Sequence, residues 1–142
     1  ELMLPNIPVK NKNMAIKKIA EETVAKGFVE DGANFAKFLL QREALTSTAV
    51  ENGIAFPHAR GIKACGLTLT VATVPAPGIF DSNGNAPIRL FFVSAVPRQT
   101  SMFYIELISK LAQYFGRPEN LEKILACDTA EKMWKILVQI GR

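Results

Sequence analysis

Apolar residues recur at helical spacing at both ends of the chain and at strand spacing in its middle. Near the start, Ile16, Ile19, Ala20 and Val24 fall on one stripe. Asn13 stands before them as a cap and Gly27 after them as a stop, which predicts a helix through about Lys26. Asp31 opens a second predicted helix, 33-ANFAKFLLQREAL-45, with Phe35, Phe38 and Leu39 on its core stripe. The position next due on that stripe is Arg42, a departure from the apolar pattern.

The period then shortens. Ile54 to Phe56 reads as a short strand ended by Pro57. In 67-LTLTVATV-74, Leu67, Leu69 and Val71 alternate with threonines, as on a half-buried strand. A turn signal, 81-DSNGN-85, follows, and 88-IRLFFVSAV-96 is nearly continuous in its apolar run. Such a run suits a central strand covered on both faces. Helices return after Pro97. Ser101 caps 102-MFYIELISKLAQYF-115, with Tyr104, Ile108, Leu111 and Phe115 on one stripe and Gly116 closing it. A shorter helix runs from Pro118 to Ala126. The last starts at Thr129, with Met133, Ile136, Leu137 and Ile140 in register and Asp128 and Glu131 spaced as a cap pair. Helices, then strands, then helices predict an α/β fold: a three-layer sandwich with a mixed β-sheet flanked by helices.

Composition narrows the class without changing this picture. At 142 residues a single domain over 1–142 is expected, and 49% hydrophobic with 21% charged residues marks a globular chain. The net charge of +4 is mild and no basic run exceeds two residues, so nucleic acid is not expected as a partner. A basic surface does suit an acidic or phosphorylated partner. Cys65 and Cys127 have no paired spacing, which points to reduced thiols in the cytoplasm. No apolar stretch is long enough to cross a bilayer, and 1-ELMLPNIPVK-10 lacks the apolar centre of a signal peptide. The first residue is glutamate rather than methionine, as expected of a piece of something longer.

The chemistry gathers around 52-NGIAFPHAR-60, which holds the one histidine of the sequence, His58. It follows Pro57 where a strand ends, the place where sites on sheets collect, and an imidazole is a nucleophile in its own right. Arg60 lies two residues on, placed to favour an anion. Arg42 has two readings: a long stem over the core with its head in water or paired to Glu43, or a planar fork held ready for phosphate. The hydroxyls of 46-TST-48 suit a phosphate too, or plain caps and turns. One histidine and two scattered cysteines do not make a zinc site, and no phosphate loop or G-x-S-x-G elbow is present. Nothing marks Cys65 as activated for a dyad with His58.

The segment 41-QREALTSTAVENGIAFPHAR-60 closely resembles the active-site region of the fructose/mannitol-type (type 2) enzyme IIA domain of the bacterial phosphoenolpyruvate-dependent phosphotransferase system. That superfamily includes the nitrogen-regulatory IIA proteins. The resemblance rests on Arg42 with Glu43, Ser47 with Thr48, Gly53 to Ala55, and Pro57 with His58. It extends through 78-GIFDSNGNAPIRLFFVSAVP-97, with Phe80 and Asp81, over essentially the whole chain. It implies an α/β sandwich and a phosphocarrier: His58 takes a phosphoryl group from the phosphocarrier protein HPr, or its nitrogen-branch counterpart, and passes it to a IIB domain. It further implies that Arg42 clamps the phosphate and that no metal, nucleotide or other cofactor is required, with Ser47, Thr48 and Arg60 as the candidates to bind the remaining phosphate oxygens. Tyr104 departs from the pattern, standing where the family places a second histidine. A phenol donates a hydrogen bond but carries no positive charge near neutrality, which bears on onward transfer. The leading reading is therefore a phosphoryl-transfer IIA domain in sugar uptake or nitrogen-related regulation. The alternative is a IIA-like regulatory binding module with an impaired or absent relay.

Overall fold

The computed structural model describes residues 2–9, 11–27, 29, 32–45, 49–50, 53–60, 67–79, 87–97 and 101–140. Along the chain run β1 (Leu2–Leu4), α1 (Lys12–Ala25), α2 (Gly32–Leu45), β2 (Ala49–Val50), β3 (Ile54–Ala55), β4 (His58–Arg60), β5 (Thr68–Thr73), β6 (Leu90–Val96), α3 (Ser101–Phe115), α4 (Pro118–Leu125) and α5 (Ala130–Ile140). The strands form one mixed sheet in the order β1-β5-β6-β3-β2, with β4 also paired to β6. Residues of α1 and α2 pack on one face, and residues of α3, α4 and α5 on the other. The three-layer α/β sandwich expected from the change of period is the fold found.

Every residue of β6 is buried, as its apolar run predicts. Its side chains alternate: Phe91, Val93 and Ala95 join the core under α1 and α2, whereas Leu90 and Phe92 join the core under α3 to α5. Beside it, β3 pairs as Ile54↔Leu90 and β4 as His58↔Ser94, both parallel and in one continuous register. Residues 54–60 are thus a single path along β6, interrupted at Pro57, which has no N–H to give. The Pro57 carbonyl still accepts from the Ser94 N–H at 3.0 Å. Phe56 stacks on Phe92 with ring centroids 5.4 Å apart, which fixes the face. By alternation His58 and Arg60 follow Phe56 toward α3. His58 therefore stands inside the pairing, not beyond the end of a strand.

Several details depart from the sequence pattern. The cap of α1 is Asn11, not Asn13: Asn11 is extended (φ −133, ψ 159) and its side chain accepts from Met14 N at 2.8 Å. It supplies the same acceptor two residues earlier, so Asn13 falls inside the first turn. The helix does stop at Gly27, at φ 78. In α2, Phe35 and Leu39 are fully buried but Phe38 is 41% exposed. Steps of four from Phe35 lead to Glu43, which is buried and paired with Lys12 at 3.0 Å. Arg42 lies four beyond Phe38, on the edge of the stripe rather than on it, and is half-buried. The predicted opening residue, Asp31, lies outside the described residues. On α5, Thr129 Oγ1 caps by accepting from Lys132 N at 3.3 Å, while Asp128 instead bridges Lys132 Nζ at 2.9 Å. The expected Asp128–Glu131 pair does not form, because Thr129 occupies the capping place. Cys127 is a free, buried thiol whose pKa burial pushes up, and Cys65 lies outside the described residues.

Strand β5 is buried on both faces, not on one. Its threonines face protein and each finds a partner: Thr68 Oγ1 accepts from Ala95 N at 3.2 Å and Thr73 Oγ1 from Asn6 N at 2.8 Å. Thr70 Oγ1 lies 2.6 Å from Thr23 Oγ1 of α1. Thr23 already donates its O–H to Ile19 O at 2.8 Å, so Thr70 must donate to Thr23. This direction makes the two threonines unequal. Thr23→Val leaves a buried Thr70 donor unpaired and should lower stability by about 1–3 kcal/mol. Thr70→Val leaves Thr23 its bond to Ile19 and should lower stability by less. Urea unfolding of both and of the double variant tests this; a double variant as unstable as the sum of the singles would show that the two hydroxyls do not interact.

Candidate active site

The imidazole of His58 is oriented by its own backbone. Nδ1 lies 3.0 Å from the carbonyl oxygen of Phe56. A carbonyl only accepts, so Nδ1 carries the hydrogen, and in the neutral ring Nε2 keeps a lone pair. Pro57 shapes this turn, with Phe56 anchored on Phe92 before it and β4 starting after it. The side chain is partly buried, and burial is the chief reason its pKa is lowered. The Phe56 carbonyl and the Glu43 carboxylate oppose that shift, while the Arg42 and Arg60 guanidinium groups add to it. A neutral imidazole at pH 7 is the result.

Around His58 lies an open depression of about 320 Å³ lined by Arg42, Phe56, Arg60, Tyr104, Ile105, Ile108 and Ser109 as well as His58 itself. Arg42 comes from the last turn of α2, Phe56, His58 and Arg60 from the path beside β6, and the remainder from α3. The Tyr104 ring sits 5.3 Å from the His58 ring, tilted by 42°. Arg60 Cζ lies over the Tyr104 ring at 5.8 Å from its centroid. Burial pushes the Tyr104 phenol up to about 12, so it stays protonated and neutral. Two guanidinium groups, a neutral nucleophilic nitrogen and a neutral O–H donor thus line one space, and among the described residues no carboxylate lines it with them. That combination suits an anion carrying an electrophilic centre, such as a phosphoryl group. A more apolar cavity of about 390 Å³, lined by Phe103, Leu107 and Trp134 among others, contains no such grouping.

The structure brings His58, Arg42, Arg60 and Tyr104 together as the sequence predicts. Ser47 and Thr48 lie outside the described residues, as do Phe80 and Asp81. Glu43, named in the sequence beside Arg42, is buried. One polar residue near the site was missed in the sequence: Ser94, which is paired in register with His58 on β6. The signal for Ser94 was its place as the one hydroxyl in the run LFFVSAV.

A family model described as "Phosphoenolpyruvate-dependent sugar phosphotransferase system, EIIA 2" matches residues 1–140. This chain belongs to that family. Among relatives of the type 2 EIIA domain described here, a "Nitrogen regulatory protein" of Pseudomonas aeruginosa is 32% identical over 139 residues, covering 96% of this chain and 89% of the relative. The "Mannitol-specific phosphotransferase enzyme IIA component" of Geobacillus stearothermophilus is 29% identical, covering 94% of this chain and 89% of that one. The nitrogen regulatory protein IIA-Ntr of Neisseria meningitidis superposes with a TM-score of 0.80 at 25% identity, over 95% of this chain and 92% of the other. Among the described residues, no helix of this EIIA domain is long and apolar enough to cross a membrane.

Because the folded domain holds His58 below its ordinary value of about 6.5, the unfolded chain binds more protons between the two values. The stability contributed by His58 is therefore complete above about 6.5 and lost as pH falls through the folded value. NMR titration of the single imidazole should give a midpoint below 6.5, and Arg42→Met should move it upward. A wild-type midpoint at or above that value would mean that burial does not govern the ring.

Proposed function

We propose that this EIIA domain receives a phosphoryl group on His58 Nε2 from an HPr-type phosphocarrier and hands it to a IIB domain, in sugar uptake or nitrogen-related regulation. The observation that carries this reading is the Nδ1–H bond to the Phe56 carbonyl, which assigns the nucleophilic lone pair to Nε2. In the transfer, that lone pair attacks phosphorus in line as the bond from phosphorus to the donor breaks, its electron pair leaving with the donor. Positive charge develops on the imidazole ring, and the Phe56 carbonyl is already placed to receive the more acidic Nδ1–H. No proton has to leave His58. Arg42 and Arg60 stabilise the charge spread over the phosphoryl oxygens, and Tyr104 adds one neutral O–H donor. Ser47 and Thr48 would complete the cradle, a role supported by their place in the family motif. The reading needs no metal and no other cofactor.

Intact-mass measurement with phosphoenolpyruvate, the first enzyme of the system and an HPr-type donor should show one phosphoryl adduct, lost in acid and absent from His58→Ala. Arg42→Lys keeps the charge but loses the two-pronged fork, so phosphorylation should slow by at least roughly tenfold with little change in melting temperature. An undiminished adduct in His58→Ala would overturn the assignment of the acceptor.

One observation favours a second reading, a regulatory domain with a slow relay. Tyr104 stands at the second-histidine position, is buried, and with its phenol at about 12 brings no charge to the site. A protonated histidine there would donate a charge-assisted bond, roughly twice as strong as a neutral one. Tyr104→His should therefore speed discharge of phospho-His58 to a IIB domain, as read by rapid quench. Equal discharge rates for the two forms would leave the relay reading alone.

A further inference from the structure

Helix α3 borders two separate hollows. Tyr104 and Ile108 line the depression that holds His58, while Leu107 and Leu111 line the apolar cavity of about 390 Å³ shared with α5. Phe103 and Trp134 line that cavity too, and they are 61% and 45% exposed. Large apolar side chains left open to water around a concave space mark a binding hollow. Apart from Glu106 and Lys110, its described lining is apolar. A third hollow, of about 590 Å³, has different chemistry: Lys110, Arg117 and Tyr114 line it with the amides of Gln113, Asn120 and Gln139. Among the described residues no carboxylate lines this polar space. Lys110 and Ile140 belong to both linings, so the apolar and polar hollows abut.

Lys110 stands at the junction. A lysine suits such a boundary, laying its methylenes on apolar surface and holding its ammonium in the polar part. Glu106 lies one turn before it, yet no ion pair joins them, whereas Asp128–Lys132 and Glu131–Lys135 close at the same spacing. Among the described residues Arg117 forms no ion pair either.

We propose that the two abutting hollows form one site for a single-chain amphipathic anion, its acyl chain in the apolar cavity and its carboxylate held by Lys110 and Arg117. A purely apolar ligand would leave both cations unanswered. A small anion would leave the apolar cavity to water. A chain with an anionic end meets both surfaces at once, with the amides as further donors to the carboxylate. Glu106 lines the apolar cavity and not the polar one, so the head belongs on the Arg117 side of Lys110. An amphiphile with a cationic head is disfavoured there by like charge. The site lies across α3 from His58, and it stands whether or not His58 is the phosphoryl acceptor.

Trp134 is the one tryptophan of the sequence and lines the apolar cavity, so its emission reports occupancy. Titration with decanoate, kept below its micelle concentration, should shift that emission to shorter wavelength and saturate, with calorimetry giving the affinity. Octanoate should bind more weakly, by about fourfold for each methylene removed, and acetate should give no shift. Decyltrimethylammonium has the same tail with the opposite head and should bind about tenfold more weakly or worse. Lys110→Met keeps the stem and loses the charge, and should weaken decanoate about two- to fivefold. Adding Arg117→Met should erase the preference for the anionic head, with melting curves confirming that both variants fold. Arg42→Met, which removes a cation from the His58 depression, should bind decanoate as the wild type does. A wild type without a saturable shift, or with equal affinity for both heads, overturns the site. So does a double variant that still prefers the anion, or a loss of binding in Arg42→Met, which would put the anion beside His58 instead.

Discussion

The site depends on one parallel pairing and the residue that interrupts it. Residues 54–60 follow β6 in a single register, and that register fixes Phe56, His58 and Arg60 on the face toward α3. Pro57 cannot donate to the ladder. At that break the Phe56 carbonyl is taken by the imidazole two residues later, while the Pro57 carbonyl keeps its bond to Ser94 N. The same short segment therefore holds the strand in place and sets the tautomer of the ring. Because β6 is buried throughout and anchored from both faces, the histidine inherits a rigid position at little expense in loop entropy.

The charges around His58 serve two ends that usually conflict. A nucleophilic imidazole must be neutral, and an anionic reactant must be attracted. Arg42 and Arg60 do both, since a nearby cation lowers the pKa of the ring as it draws the anion. Glu43 works against them, but its carboxylate is buried and its charge is shared with Lys12 at 3.0 Å. Placing the acid behind the arginine, on the core side of α2, keeps the Glu43 carboxylate out of the lining of the depression, where it would repel phosphate.

Much of this was legible in the sequence, and the remainder was hidden for physical reasons. The long apolar run of β6 and the spacing of Tyr104, Leu111 and Phe115 on α3 survive in the structure because burial enforces them. Helix ends were less legible: Asn11 and Asn13 are equally good acceptors, and which one caps depends on where the chain enters the helix. A stripe drawn through Phe35, Phe38 and Leu39 was too wide, because a helix buries a narrower face when its neighbour is another helix. Arg42 consequently sits at the edge, where a guanidinium reaches the site without crossing the core. The threonines of β5 read as a wet face because composition does not reveal that α1 supplies a hydroxyl to meet Thr70 and backbone N–H groups meet Thr68 and Thr73. Ser94, and the pairing of Glu43 with Lys12 rather than Arg42 alone, were invisible for a related reason: both depend on what the tertiary fold puts beside them.

The tyrosine at position 104 also simplifies the electrostatics of the site. A phenol pushed up to about 12 keeps its proton throughout the neutral range, and arginine does not titrate there. Among the described residues lining the depression, His58 is then the one group whose charge changes near neutrality. A histidine at position 104 would bring a second titration beside the first, and two imidazoles in close contact would share their protons rather than titrate independently. With Tyr104 the affinity of the site for an anion is tied to a constant pair of guanidinium groups, and the readiness of the nucleophile to a single proton. Arg60, stacked on the phenol ring, links these two parts: it holds Tyr104 by its face and presents its charge to the same space. What the tyrosine gives up in charge it returns as a fixed, pH-independent hydrogen-bond donor.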